Sequence, residues 1–119
     1  MNYIDGFVIP VPLKNKQAYI DLAKKMHEVY LEHGALRVVE NWGEDLPKGK
    51  INDFHTAVVA EAGEGVVYTW IEWADKATRD AANKKIMADP RMRPGGELPF
   101  SGSRVIYGGF ATIVESQKP

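Results

Sequence analysis

The sequence has no cysteine among its 119 residues. That excludes disulfides, thiolate nucleophiles, cysteine-based zinc sites and iron–sulfur clusters at once, and it fits a reducing cytoplasm, the expected location. Neither sign of charge is in surplus. Fifteen Lys and Arg face sixteen Asp and Glu, a formal net charge of −1, so there is no basic footprint for nucleic acid and no acidic solvating tail. No apolar run approaches the length that crosses a bilayer. Residues 1–5 lack the basic and apolar segments of a signal peptide. Nucleophile elbows, Walker loops and dinucleotide fingerprints are absent, and Gly63-Glu-Gly65 and Gly108-Gly109 are too short to stand in for them. Histidine is scarce. His27 and His33 are six apart on one expected helix, a spacing that does not place two ligands on one face, so no metal and no cofactor is expected.

What is present is a composition near the soluble globular average: 45% apolar, 10% aromatic and 26% charged. It predicts one domain over residues 1–119. Aromatic and β-branched residues mark a strand over Tyr3–Val11, with Pro10 expected at its very end. Tyr19, Leu22, Ala23, Met26, Val29 and Tyr30 recur at helical spacing within Lys14–His33, and Ile20, His27 and Leu31 widen that stripe. Asn15 is the expected N-cap and Gly34 the C-terminal stop. Further strands are predicted over Ala35–Trp42, Phe54–Ala60, Val66–Trp73 and Arg104–Glu115. A second helix, Lys76–Ala88, is capped by Asp75 and ended by Pro90. The order is β-α-β-β-α-β with a split or extra strand. That is an α+β, ferredoxin-like arrangement: an antiparallel sheet with both helices on one face.

Strand residues two apart share a face. Tyr68, Trp70 and Glu72 alternate with Val67, Thr69, Ile71 and Trp73, and neither set looks solvent-facing. Helices cover one face only, so a second copy of the chain is the expected cover for the other. Two sheets facing each other make a dimeric α/β barrel.

The carboxylates Asp5, Glu40 and Glu72 lie in otherwise apolar or aromatic strands, where a buried charge needs a partner. Parity places Glu40 and Glu72 with Trp42, Tyr68 and Trp70 on one aromatic face, and Arg37 and Arg104 are the candidate partners. Glu40, Trp42, Tyr68, Trp70, Glu72 and Arg104 are thus the expected ligand-binding set. The pocket is expected between the outer sheet face and the loop Pro90–Ser103, which would act as a lid. Glu40 is the first choice for a functional carboxylate, weighed against an ion pair that fixes dimer register. Arg91 and Arg93 on the loop are candidates to clamp an anion.

Tyr3-Ile-Asp-Gly-Phe-Val, Gly34-Ala-Leu-Arg-Val-Val-Glu, Trp70-Ile-Glu-Trp, Arg79-Asp-Ala-Ala-Asn, Asp89-Pro-Arg-Met92 and Ile106-Tyr-Gly-Gly-Phe110 together resemble the YbaA-like family of uncharacterised bacterial proteins, over residues 1–115. The resemblance implies the dimeric α/β-barrel fold and no particular reaction. Related barrel dimers include haem-degrading enzymes, whose pattern has a histidine on the second helix. Here Lys76–Ala88 has none, so haem is not expected. Others are cofactor-independent monooxygenases that need a shaped apolar cavity and a few polar groups. The expected function is therefore binding of a small apolar or aromatic molecule by a homodimer, with cofactor-independent monooxygenase-like chemistry. The alternative is a non-catalytic interaction or stress-related protein whose aromatic face only forms the dimer.

Overall fold

A computed structural model describes residues 2–93 and 95–119. The chain forms strand β1 (Tyr3–Pro12), helix α1 (Lys16–Glu32), strand β2 (Arg37–Trp42), a short helix α2 (Phe54–Ala57), strand β3 (Glu64–Trp73), helix α3 (Lys76–Ala88) and strand β4 (Ile106–Ala111). The sheet order is β2-β3-β1-β4, with antiparallel pairing throughout. This is the ferredoxin-like topology expected from the element order.

Three local expectations are corrected. Phe54–Ala60 is not a strand: Asp53 and Thr56 form a reciprocal capping box that starts α2, and this local pairing overrides the β-branched run that follows. Val59 then adopts a φ of 50°, a left-handed conformation that strains a β-branched residue. Strand β1 runs through Pro10 to Pro12, because its pairing with β4 ends at Val8↔Ile106 and leaves β1 an edge strand beyond that point. Strand β4 is shorter than Arg104–Glu115, because β1, its one partner, starts at Tyr3 opposite Ala111.

Helix ends follow the local chemistry. Asp75 caps α3 by accepting from the Thr78 amide at 2.7 Å. Gly34 takes the positive φ that closes α1. Asn15 stands at the N-terminus of α1, but its side chain makes no cap. It donates to the Pro99 carbonyl at 3.2 Å and ties α1 to the segment before β4.

The register assigns the two faces of the sheet. Asp5, Phe7 and Ile9 stand opposite Ile71, Thr69 and Val67, which in turn stand opposite Val38, Glu40 and Trp42. This face carries the helices. Its core divides into two clusters. Val29, Ala35, Ile71, Trp73, Ala82 and Ile86 form one beneath both helices. Ile9, Val11, Tyr19, Ala23 and Val67 form the other beneath the start of α1. Phe7, Glu40 and Thr69 lie along the seam between them. Ile4, Val8, Val39, Tyr68, Trp70, Glu72 and Phe110 point to the opposite, open face. Helix α2 reaches that face at one end, where Phe54 meets Tyr68 edge-on with ring centroids 6.4 Å apart.

Candidate functional site

Glu40 sits mid-strand on β2, under α1. Three donors converge on its carboxylate. Tyr19 and Thr69 donate hydroxyls to Oε1 at 2.6 and 2.5 Å, and His27 Nε2 reaches Oε2 at 2.7 Å. Tyr19 and His27 are eight apart on α1 and project to one side of the helix. Thr69 is directly across the ladder from Glu40. The cluster is therefore set by one helix face and one cross-strand pair. Burial pushes the Glu40 carboxyl up, but the hydrogen bonds from His27, Thr69 and Tyr19 and the His27 charge outweigh it, and the group is held below its ordinary value. The Tyr19 hydroxyl is pushed up, first by burial and then by the facing carboxylate.

An ionised carboxylate only accepts hydrogen bonds, so the His27 nitrogen facing it carries a proton. That leaves Nδ1 as the ring's acceptor in the neutral imidazole. Among the described residues none bonds Nδ1.

The seam beside this cluster opens into a cavity of about 320 Å³. Its floor is the helix face of the sheet (Phe7, Ile9, Thr69, Ile71) and its roof is α1 (Leu22, Met26, Tyr30). Phe100, Gly102 and Val105, from the segment before β4, close one side. Phe100 meets Tyr19 edge-on at 5.8 Å, and Phe7 stacks with Tyr107 at 6.1 Å. The walls are thus aromatic and aliphatic, with polarity concentrated at Glu40, His27, Tyr19 and Thr69. Among the described residues, no three His, Asp or Glu side chains gather as metal ligands would.

The expected six-residue set does not form one site. Glu40 and Trp42 do share a face, but it is the helix face. Tyr68, Trp70 and Glu72 are on the other, because Glu40 pairs with Thr69 and so carries the opposite parity from Glu72. Trp42 stacks beneath Lys16, 4.7 Å from the ammonium, and lines a neighbouring pocket beside α1. On the open face Trp70 donates its indole N–H to Glu72 at 2.9 Å, and Arg37 approaches Glu72 at 3.7 Å. Arg104 meets neither Glu40 nor Glu72. It grips Glu64 with two bonds, 2.6 and 2.7 Å, and donates to the carbonyl of strained Val59 at 2.9 Å. The cavity lies on the helix face, not the outer face, although the expected loop does contribute Phe100 and Gly102 to it. Arg91 is engaged by Glu32 and Asp89 and so clamps no anion.

Tyr19, His27 and Thr69 were not legible as a site. The available signal was a titratable histidine inside the inward stripe of α1, where apolar residues are the rule.

Comparison with known proteins agrees with this architecture. Two solved structures share it: an uncharacterised NIPSNAP domain protein from Burkholderia xenovorans (TM-score 0.55, 10% identity, 98% of this chain and 99% of that one) and a dimeric ferredoxin-like protein from an uncultured marine organism (TM-score 0.55, 11% identity, 99% and 100%). In sequence, the chain is 53% identical over 116 residues to the uncharacterized protein YbaA of Escherichia coli K12 and of Shigella flexneri, across 97% of this chain and 99% of each relative. The family described as "Protein of unknown function (DUF1428)" matches residues 2–102, and the chain belongs to that family.

Proposed function

We propose that the chain binds a small, mostly apolar aromatic molecule in the cavity under α1, and that His27, oriented by Glu40, is the base that removes a proton from it. The observation that carries this reading is the convergence of Tyr19, His27 and Thr69 on one carboxylate at the edge of an apolar cavity. Pockets that bind small molecules combine apolar walls with a few convergent polar groups. A carboxylate that fixes the tautomer and orientation of an imidazole is a recurrent way to build a general base. The reaction class is proton abstraction from an acidic O–H or C–H bond. In a cofactor-independent oxygenation this is the first step: the resulting anion is itself oxidised and dioxygen is reduced. The cysteine-free composition supports a cytoplasmic setting.

The working unit in this proposal is a homodimer joined through the open sheet face. Tyr68, Ile106 and Phe110 are 45, 45 and 61% exposed on that face, with Trp70 between them, and a contiguous aromatic patch favours a protein partner. The solved structure of similar fold described as dimeric supports self-association. This patch also favours the second reading, a non-catalytic interaction or stress-related protein whose aromatic face only forms the dimer.

A thermal-shift screen of small phenols, confirmed by calorimetric titration, separates the two readings. The proposed function predicts binding that weakens at least tenfold in both His27→Gln and Glu40→Gln. Absence of any aromatic ligand, or binding unchanged in both variants, favours the second reading.

A further inference from the structure

Beside α3 lies a second cavity, of about 480 Å³. It shares Phe7, Tyr30, Ile71 and Tyr107 with the cavity under α1, so the two lie side by side along the sheet. Their polar ends differ. The first ends at Glu40 and His27. The second is lined by Arg79, Asn83 and Arg93, with Asp5 as its carboxylate. Arg79 is matched by Asp5 and, together with Lys76, by Asp80, which leaves Arg93 as the uncommitted cation at this end among the described residues.

Arg79 is held in place over the backbone of Gly109, where any side chain would collide with it. Its guanidinium donates to Tyr3 at 2.9 Å and meets Asp80 at 3.0 Å. Its Nε is buried and without a hydrogen-bond partner, standing 3.4 Å from Asp5 out of bonding alignment. The Asp5 carboxylate is occupied on its other oxygen by the Trp73 indole at 2.9 Å. Arg93, exposed at the mouth, forms no ion pair among the described residues. Tyr30 stands between the two ends. Its hydroxyl is pushed up by burial, then by Asp5 and by Glu40, and it makes no hydrogen bond among the described residues.

We infer that the ligand of the cavity under α1 is an aromatic acid, whose anionic group is received at the α3 end by Arg93 and Asn83 beside Arg79. This rests on the proposed function above and adds the substrate class. Asp5 and Glu40 are two strands and one same-face step apart, about 10 Å across and about 7 Å along, or about 12 Å between backbones. A single phenyl ring with a short acidic side chain spans that distance once the protein side chains reach inward. Phe7, Tyr30 and Tyr107 then contact the ring, His27 faces its acidic proton, and the carboxylate gains charge-assisted hydrogen bonds.

The test compares two probes that share a phenol and differ in the acid: 3-(4-hydroxyphenyl)propionate and 4-ethylphenol, titrated calorimetrically into the full-length protein. The acid is expected to bind at least tenfold tighter. Arg93→Gln is expected to erase that advantage while leaving 4-ethylphenol within about twofold, and Asn83→Ala to reduce it in part. Both substitutions fall outside the Arg79 packing, so the fold is retained. If both probes bind equally, or if the advantage survives Arg93→Gln, the acid subsite is refuted while the cavity under α1 stands. If neither probe binds, the proposed function and this inference both fail.

Discussion

The two faces of the sheet carry similar chemistry and use it differently. Each has a glutamate set among aromatic residues. On the helix face, Glu40 lies under α1 and receives three donors, Tyr19 and His27 from α1 and Thr69 from β3. On the open face, Glu72 has the indole of Trp70, two residues away on its own strand, and a distant, largely exposed Arg37. The two side chains are equally exposed, at 23%, so the number of donors is what separates them. A carboxylate in low dielectric must be fully bonded, and a fully bonded one orients whatever bonds it. Glu72 has one indole donor, and an ion pair with an arginine as exposed as Arg37 contributes little. In the proposed function the helix face is the chemical side of the molecule and the open face its docking side.

The largest effect is expected on the open face. Trp70→Asp places an unpaired charge in the centre of the proposed interface. Sedimentation equilibrium at micromolar concentration should move from about twice 13.3 kDa for the wild type to the chain mass of 13.3 kDa for the variant. A wild-type monomer would remove the docking role from this face.

On the helix face, Glu40→Ala strands the buried Tyr19 and Thr69 hydroxyls and the partly exposed His27 and should destabilise the fold by about 3 kcal/mol. Glu40→Gln keeps an acceptor oxygen and should lose only about 1–2 kcal/mol. Chemical denaturation measures both, and equal losses would mean that the charge, not the bonding, holds the cluster.

The acid limb of the stability profile should separate the two carboxylates of this face, Glu40 and Asp5. Glu40 is held below its ordinary 4.5, so it stabilises the fold above that pH and the contribution is lost as pH falls through the folded value. Asp5 is pushed above its ordinary 3.8, chiefly by burial, so its penalty at neutral pH is relieved as pH falls. Between pH 7 and pH 3, Glu40→Gln should therefore lose less stability than the wild type, and Asp5→Asn should lose more. Parallel profiles would show that neither group shifts on folding.

How far the sequence carries this picture differs between the two faces. Alternation along β3 was enough to separate Tyr68, Trp70 and Glu72 from Thr69, Ile71 and Trp73. Register across strands was not legible. Parity within β2 groups Glu40 with Trp42, but only the pairing Glu40↔Thr69 decides which face they occupy. A shift of one residue exchanges the faces, and that step separates Glu40 and Trp42 from Tyr68, Trp70 and Glu72, while Glu64 draws Arg104 away from both groups. The α1 stripe did show where the helix turns inward, including His27. Its bond to Glu40 joins residues 13 apart through tertiary packing, which periodicity does not encode. The capping box at Asp53 and Thr56, by contrast, is local chemistry present in the sequence, and the β-branched pair Val58-Val59 beside it imitates a strand.

The smallest effect belongs to Glu72. Glu72→Gln should change stability by no more than about 1 kcal/mol and leave aromatic binding under α1 unaltered. A loss of binding would return the open face to consideration as a ligand site.

The most direct test of the division between faces is an NMR titration with 4-ethylphenol, following the His27 imidazole and the Trp70 indole in one sample. Progressive, saturable shifts are expected at His27, abolished by Glu40→Gln, with the Trp70 indole unmoved. Shifts at Trp70 with His27 unmoved would place ligand binding on the open face and contradict the account.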